Sequence, residues 1–188
     1  MKKIIAIIGD NSIESNSLKE KIAFSVGKAL IDNGYRIQSG GMGGIMKASF
    51  LGARSSSNYQ EGDIIALIPS FDKNESNGLA DIIIPTGFDI NRASIVANAD
   101  FVVAIGGGSG TLAEIASAWM LMRPIAAFNN VEGWSKKVAG TNLDTRIRYD
   151  FDDHIYSVSS ALELIEIISE KIDLYNKYHH NIIMKKDK

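Results

Sequence analysis

An unbroken run of five apolar residues, Phe101 to Ile105, constrains the fold of this chain more than any other stretch. A short run without a polar position is typical of a strand covered on both faces, as in a parallel sheet. Four glycines follow within five residues, and without a Cβ atom they let the backbone turn tightly. Leu112, Ile115 and Trp119 then recur at helical spacing. The sequence therefore predicts a buried strand, a glycine loop and an amphipathic helix in direct succession.

Predicted strands and helices alternate along the chain, which favours an α/β fold with a doubly wound, mostly parallel sheet. Ser17 with Glu20, and Ser160 with Glu163, are capping-box patterns that open helices. The strands are expected at 2–8, 35–38, 63–68, 81–84, 101–105, 124–128 and 155–158. Further helices are expected at 45–54, 88–98 and 134–138, and after the glycine loop. We expect one domain, residues 1–178, followed by a short basic tail, residues 179–188.

Two local features carry further expectations about packing. Ala48 and Gly52 are small, so we expect their helix to lie close to the sheet. Trp119 to Met122 is apolar and belongs either to the core or to an interface between subunits. Residues 129–153 show no clear period and are the part of the chain that the sequence describes least.

Charge and composition narrow the classes of function. The formal net charge is −2, so there is no basic excess to meet a nucleic acid or an anionic membrane surface. The chain has no cysteine, which excludes disulfides, thiolate nucleophiles and Cys-ligated zinc. No apolar run approaches the roughly 18 residues of a spanning helix. We therefore expect a cytoplasmic protein that binds neither nucleic acid nor membrane.

The helix that follows the buried strand is the predicted binding centre. Its first turn presents free N–H groups and the positive end of the helix dipole, which together favour an anion such as phosphate. The second glycine loop and the two polar residues after the first strand lie at the same carboxyl edge of a parallel sheet, where open α/β sheets bind ligands. The candidate phosphate- or nucleotide-binding residues are Gly107, Gly108, Ser109, Gly110, Thr111, Gly40, Gly41, Met42, Gly43, Gly44, Asp10 and Asn11. The alternative, that these glycines serve only tight turns, stays open.

Several familiar sites are excluded by their motifs. The dinucleotide fingerprint Gly-x-Gly-x-x-Gly does not follow the first strand, which ends in Gly9-Asp10-Asn11, and neither later loop completes it. No Gly-Lys-Ser/Thr occurs, so there is no Walker A loop. His154, His179 and His180 lack a metal-ligand spacing, and no metal site is expected. Asp152-Asp153-His154 has no accompanying Gly-x-Ser-x-Gly elbow, which disfavours a hydrolase triad.

Two charged residues flank the predicted anion site and are the candidate catalytic pair. Glu114 lies one turn into the helix, and Arg92 precedes the buried strand. A carboxylate can stabilise positive charge or activate water, while a guanidinium can pair with it and contact a ligand. The alternative is a plain Arg–Glu ion pair at a helix start.

These residues resemble the LOG-like Rossmann proteins, long mislabelled as lysine decarboxylases, and most of all the branch that includes the molybdenum cofactor carrier proteins. The LOG motif Pro-Gly-Gly-x-Gly-Thr-x-x-Glu corresponds to Gly106–Glu114, with glycine in place of proline. Their Gly-Gly-Gly-x-x-Gly-Leu-Met loop is similar to Ser39–Met46. Their arginine matches Arg92, although Ala93 replaces the lysine that usually follows. The resemblance spans roughly residues 4–128, and a decarboxylase is rejected because neither glycine loop holds a lysine for pyridoxal phosphate.

The resemblance implies a Rossmann-like fold and two alternative functions. The first is hydrolysis of the N-glycosidic bond of a nucleoside 5′-monophosphate, with the phosphate on the amides of 108–111 and on the Thr111 hydroxyl, and with Arg92 and Glu114 at the scissile bond. The second is a non-catalytic carrier or sensor for a phosphorylated small molecule. No cofactor is required in either case. A bound nucleoside monophosphate or molybdenum cofactor is the expected ligand, and a homodimer or higher homo-oligomer is the expected assembly.

Overall fold

A single parallel sheet forms the centre of the computed structural model, which describes residues 1–176. Within those residues seven strands pair, and every neighbouring pair is parallel. The strands are β1 Ile4–Gly9, β2 Arg36–Ser39, β3 Ile64–Ile68, β4 Ile82–Pro85, β5 Phe101–Ile105, β6 Ile125–Phe128 and β7 Tyr156–Val158. Their order is β4-β3-β2-β1-β5-β6-β7, so the chain winds outward from β1 in both directions. The predicted doubly wound α/β fold is confirmed, and the predicted tail lies outside the described residues.

Helices cover both faces of the sheet. They are α1 Leu18–Asp32, α2 Gly44–Arg54, α3 Ala93–Ala97, α4 Ser109–Met120, α5 Trp134–Val138 and α6 Ala161–Asn176. One apolar cluster joins the sheet to α1, α2 and α6, and a second joins the other face to α3, α4 and α5. Both predicted serine caps are confirmed, since Ser17 Oγ accepts from the Glu20 amide and Ser160 Oγ from the Glu163 amide. The carboxylates of Glu20 and Glu163 accept from the amide one residue before each serine rather than from the serine itself.

The register of the two central strands places the functional edge. β1 pairs with β5 from Ile5 opposite Phe101 to Gly9 opposite Ile105, and the paired residues between these ends are buried. Both strands therefore end side by side, with Asp10 next to Gly106. This is the point at which the order of strands reverses, the place where ligands bind in sheets of this kind.

The predicted helix over 88–98 is wrong in its first half. Asp89–Arg92 forms a 3-10 turn, and α3 runs only from Ala93 to Ala97. Asp89 has φ +46°, a left-handed conformation that an α-helix cannot contain, so the helix begins after it. Asn98 then leaves the helical region and the chain enters β5.

Gly52 lies against a helix rather than against the sheet, which corrects the expectation from the sequence. A Cβ built on Gly52 would lie 1.9 Å from the Phe24 carbonyl oxygen, and one built on Gly27 would lie 1.9 Å from the Ser49 carbonyl oxygen. The two glycines therefore allow the backbones of α1 and α2 to approach each other closely.

Trp119 belongs to the core, the first of its two predicted alternatives. It is 2% exposed, whereas the next residue, Met120, is 60% exposed. The guanidinium of Arg148 lies 3.6 Å from the centre of the Trp119 ring, on a segment that the sequence did not describe. None of the helices among residues 1–176 combines the length and apolar character needed to cross a membrane.

Candidate functional site

A pocket of about 650 Å³ opens at the carboxyl ends of β1, β2 and β5. It lies where the sequence predicts a site, between the end of β1, the loop after β2 and the first turns of α4. The predicted residues that line it are Asp10, Asn11, Gly40, Met42, Arg92, Gly108, Ser109, Gly110, Thr111 and Glu114. The predicted residues Gly41, Gly43, Gly44 and Gly107 are not among its lining.

The first turn of α4 carries four backbone N–H groups without a hydrogen-bond acceptor among the described residues. They belong to residues 108–111, and the first intrahelical bond runs from the Leu112 amide to the Gly108 carbonyl at 3.0 Å. Four such donors pointing out of a helix start, together with the dipole, favour an anion. An oxyanion at this point would satisfy groups that the protein leaves open.

The glycines of the loop divide into two pairs with different roles. Gly106 and Gly107 have φ of +64° and +95°, so the turn itself requires them. Gly108 and Gly110 have ordinary φ values, and a Cβ built on either would meet no atom within 4 Å. Neither strain nor packing demands glycine there. The missing side chains instead keep the helix start accessible to a ligand.

Neighbouring residues hold the turn in place from both sides. The Gly106 amide donates to Ser135 Oγ at 2.8 Å, and the Gly107 amide donates to Asp10 Oδ2 at 2.9 Å. The amides of Trp134 and Ser135 donate to the carbonyls of Gly107 and Gly106. Gly107 therefore has its amide occupied by the protein and is a structural residue of the turn rather than a phosphate donor.

Ser135 and Lys19 are functional neighbours that the sequence did not reveal. Ser135 is fully buried and bonds to Gly106, 29 residues earlier. Lys19 pairs with Asp10 at 2.7 Å and so compensates the carboxylate that holds the turn. Asp10 thus acts on the loop as well as lining the pocket. Only the tertiary structure brings these groups together, and no local pattern marks them.

The second glycine loop packs largely against the end of β1. The Gly43 amide donates to Asn11 Oδ1 at 3.0 Å, and the Ile45 amide donates to the Asp10 carbonyl at 2.9 Å. A Cβ on Gly44 would lie 2.1 Å from that carbonyl oxygen. The amides of Gly40, Gly41, Met42 and Gly44 have no acceptor among the described residues, so a ligand-binding role of this second loop stays a prediction.

Arg92 and Glu114 reach the same pocket without forming an ion pair. Within the described residues no Arg92–Glu114 contact of 4.0 Å or less occurs, and Arg92 Nη1 donates to the Leu67 carbonyl at 2.6 Å. The two groups act on each other only through their charges, so a plain ion pair is wrong, while the catalytic role of the two residues stays a prediction. Burial raises the pKa of Glu114 from 4.5 to about 7, and the nearby Arg92 charge only partly opposes this rise. Burial lowers the pKa of Arg92.

The remaining wall of the pocket comes from residues outside the sequence-predicted set. Met46 from α2, Pro69 at the end of β3, and Asp89 and Ile90 from the 3-10 turn line it. Pro69 ends a strand at the carboxyl edge, which is a signal that sequence reasoning missed. Apolar walls with few polar groups at fixed positions are typical of small-molecule sites, whose volumes run from about 300 to 1,000 Å³.

Comparison with known proteins agrees with this geometry. The profile of the SLOG cluster4 family matches residues 2–156. An uncharacterized protein of Archaeoglobus fulgidus is 36% identical over 115 residues, which cover 61% of this chain and 72% of that protein. The molybdenum cofactor binding protein of the phototrophic bacterium Rippkaea orientalis is 26% identical with a TM-score of 0.75, covering 92% of this chain and 98% of that one.

A third similar protein shows the fold alone. The molybdenum cofactor carrier protein of Chlamydomonas reinhardtii is 24% identical with a TM-score of 0.73, covering 90% of this chain and 98% of that chain. The resemblance to LOG-like Rossmann proteins, and to their branch of molybdenum cofactor carriers, is confirmed.

Proposed function

The chain belongs to the SLOG cluster4 family, and we propose that it binds and carries a small phosphorylated molecule without transforming it. The observation that carries this proposal is the open start of α4, where four amides lack acceptors and Gly108 leaves room for a ligand. A phosphate is the group whose charge and oxygen atoms match such a helix start.

A phosphorylated pterin, the molybdenum cofactor, is the first candidate ligand. The similar protein of Rippkaea orientalis is named for binding that cofactor. Its phosphate would bind the amides of 108–111, and the apolar side chains of Met42 and Met46 would border the ring system. The pocket volume of about 650 Å³ suits a ligand of this size.

The turn before α4 supports a carrier over a LOG hydrolase. Gly106 has φ +64°, and proline is confined to φ near −65°. The LOG motif has proline at this position, so its loop cannot turn as this one does. Ala93 in place of the usual lysine is a second departure beside Arg92. The expected homo-oligomer stays part of the proposal, and light scattering of the purified protein measures it.

Mass spectrometry of ligand released from protein purified without oxygen tests the carrier function. A released pterin phosphate or its oxidation products would support the molybdenum cofactor as ligand. A released nucleotide would instead identify a nucleotide as the phosphorylated molecule that the protein carries. The Gly108→Val protein purified in parallel is the matched control. Recovery of equal amounts of ligand from both proteins would contradict binding at the start of α4.

Gly108→Val is expected to abolish binding of phosphorylated ligands and to leave folding nearly unchanged. The new side chain fills the space over the free amides, while a Cβ at this position meets no protein atom within 4 Å and the backbone has an ordinary φ of −97°. We expect the affinity, measured by calorimetry, to fall at least 100-fold, while the free energy of unfolding changes by about 0.5 kcal/mol or less.

Gly43→Val is the contrasting variant for that experiment. Its Cβ would lie 2.5 Å from the Asn11 carbonyl oxygen, so this variant should lose stability, unlike Gly108→Val. If Gly108→Val bound phosphorylated ligands as tightly as the wild type, the ligand would not lie on α4.

A nucleoside 5′-monophosphate hydrolase is the second candidate, and the raised pKa of Glu114 favours it. A carboxyl group with a pKa of about 7 beside a guanidinium suits proton transfer during bond cleavage. Incubation with each nucleoside monophosphate, followed by chromatography for free base, tests this function. Base release that disappears in Glu114→Gln would establish the hydrolase over the carrier. Absence of base from every substrate would exclude it.

A further inference from the structure

Arg92 has hydrogen-bonding capacity that the protein does not use. A guanidinium carries five N–H donors, and the structure gives Arg92 one hydrogen bond, from Nη1 to the Leu67 carbonyl. No carboxylate of the described residues lies within 4.0 Å of it. The side chain is partly buried and lines the pocket in which we propose that a ligand binds.

No carboxylate among the described residues forms an ion pair with the guanidinium of Arg92. Glu114 and Asp89 act on Arg92 only across a distance, and burial keeps the Glu114 carboxyl largely protonated below neutral pH. Asp10 is already held by Lys19 and by the Gly107 amide. Charges in protein interiors are normally paired, so a cation left in this way indicates an anion supplied from outside.

The guanidinium of Arg92 lies at the end of β2, whereas the proposed phosphate site follows β5. A Cβ on Gly40 would lie 2.6 Å from Nη1 and 2.9 Å from Nη2, so the guanidinium rests on the end of β2. The free amides of α4 follow β5, and β1 lies between these two strands. Neighbouring strands are about 4.8 Å apart, so the ends of β2 and β5 are roughly 10 Å apart. Gly9 and Asp10, at the end of β1, line the pocket between them.

We propose that the ligand of this pocket carries two anionic groups, a phosphate on the start of α4 and a second anion on Arg92, beside the end of β2. The inference rests on the proposed phosphate-binding function and specifies the class of ligand. Suitable molecules have a phosphate at one end and a second phosphate, a carboxylate or another anionic group at the other. Arg92 then selects them against ligands with a single phosphate.

Titration of the full chain with inorganic phosphate, followed by ¹⁵N NMR, tests for the second anion site. It requires no assumption about the distance between the two anionic groups of the ligand. Phosphate is expected to shift two separate groups of amides, those of residues 108–111 and that of Gly40, with independent saturation. Arg92→Gln should weaken binding at the Gly40 group at least 10-fold and leave the α4 group unchanged. Gly108→Val should do the reverse, and Arg146→Gln, an exposed arginine elsewhere, should change neither.

The outcomes separate this inference from the function on which it rests. Binding at residues 108–111 alone, or a Gly40 site that persists in Arg92→Gln, would overturn the second anion site and keep the phosphate-binding function. Saturable binding at Arg92 alone, or at neither place, would overturn the proposed function and the inference with it.

Discussion

Replacing Arg148 by methionine is expected to lower the free energy of unfolding by about 3 to 5 kcal/mol. Arg148 forms a buried ion pair with Asp153, with contacts of 2.7 and 2.8 Å, and both side chains are nearly inaccessible. It also donates to the Trp119 carbonyl and lies over the Trp119 ring. Methionine fills a similar volume but leaves the Asp153 carboxylate buried without its cation. Urea unfolding at pH 7 measures the loss, and the melting temperature should fall by roughly 10 °C.

Arg146→Met is the matched control, two residues earlier in the same segment. Its pair with Asp144 is exposed, and such pairs contribute about 0 to 1 kcal/mol. The double variant Arg148→Met with Asp153→Leu removes both buried charges and should recover much of the lost stability. If Arg148→Met were as mild as Arg146→Met, the ion pair would not anchor this segment.

This ion pair also explains why the sequence described the second half of residues 129–153 poorly. Arg148 and Tyr149 hold that half against the end of α4 and the residues just after it, for example through the bond from the Tyr149 hydroxyl to the Met122 carbonyl. Neither residue belongs to a helical or alternating pattern. Periodicity detects elements that bury one regular face, and it cannot detect a loop held by a buried ion pair and a few tertiary hydrogen bonds.

The elements that the sequence predicted well are those with local causes. β5 and β1 are continuous apolar runs, and both serine caps act over three residues. The helix expected over 88–98 failed because its apolar spacing could not reveal the left-handed Asp89. Gly52 was predicted to contact the sheet but contacts α1. A small residue indicates that another element packs closely against it, but it does not indicate which element.

For the site as well, features with a local cause were predicted from the sequence, and features that depend on distant residues were missed. The open start of α4 follows from a glycine loop between strand and helix, so sequence reasoning found it. The role of Gly107 was missed because the Asp10 carboxylate that binds its amide lies 97 residues away. The hydrogen bond from Arg92 to the Leu67 carbonyl was missed because a backbone acceptor leaves no mark in the sequence.

Replacing Glu114 by glutamine is expected to stabilise the protein by about 3 kcal/mol at pH 8 and to have little effect at pH 4. The folded protein holds the pKa of Glu114 near 7, raised by burial from 4.5. Between these values the unfolded chain releases a proton that the folded chain keeps, so wild-type stability falls as the pH rises from 4.5 to 7. Glutamine has the same shape and does not titrate. Chemical unfolding of both proteins from pH 4 to pH 8 measures the difference.

Glu166→Gln, an exposed glutamate on α6, is the control and should follow the wild-type curve. Parallel curves for Glu114→Gln and the wild type would show that burial does not perturb Glu114. A widening gap would mean that the protein retains, at the wall of its pocket, an acid that weakens the fold at neutral pH. Such a cost is expected where a side chain acts on a ligand. Phosphate binding is expected to survive in the stabilised Glu114→Gln protein under either candidate function, because the start of α4 holds the phosphate in both. Base release separates the two, since a hydrolase would lose it in this variant and a carrier never shows it.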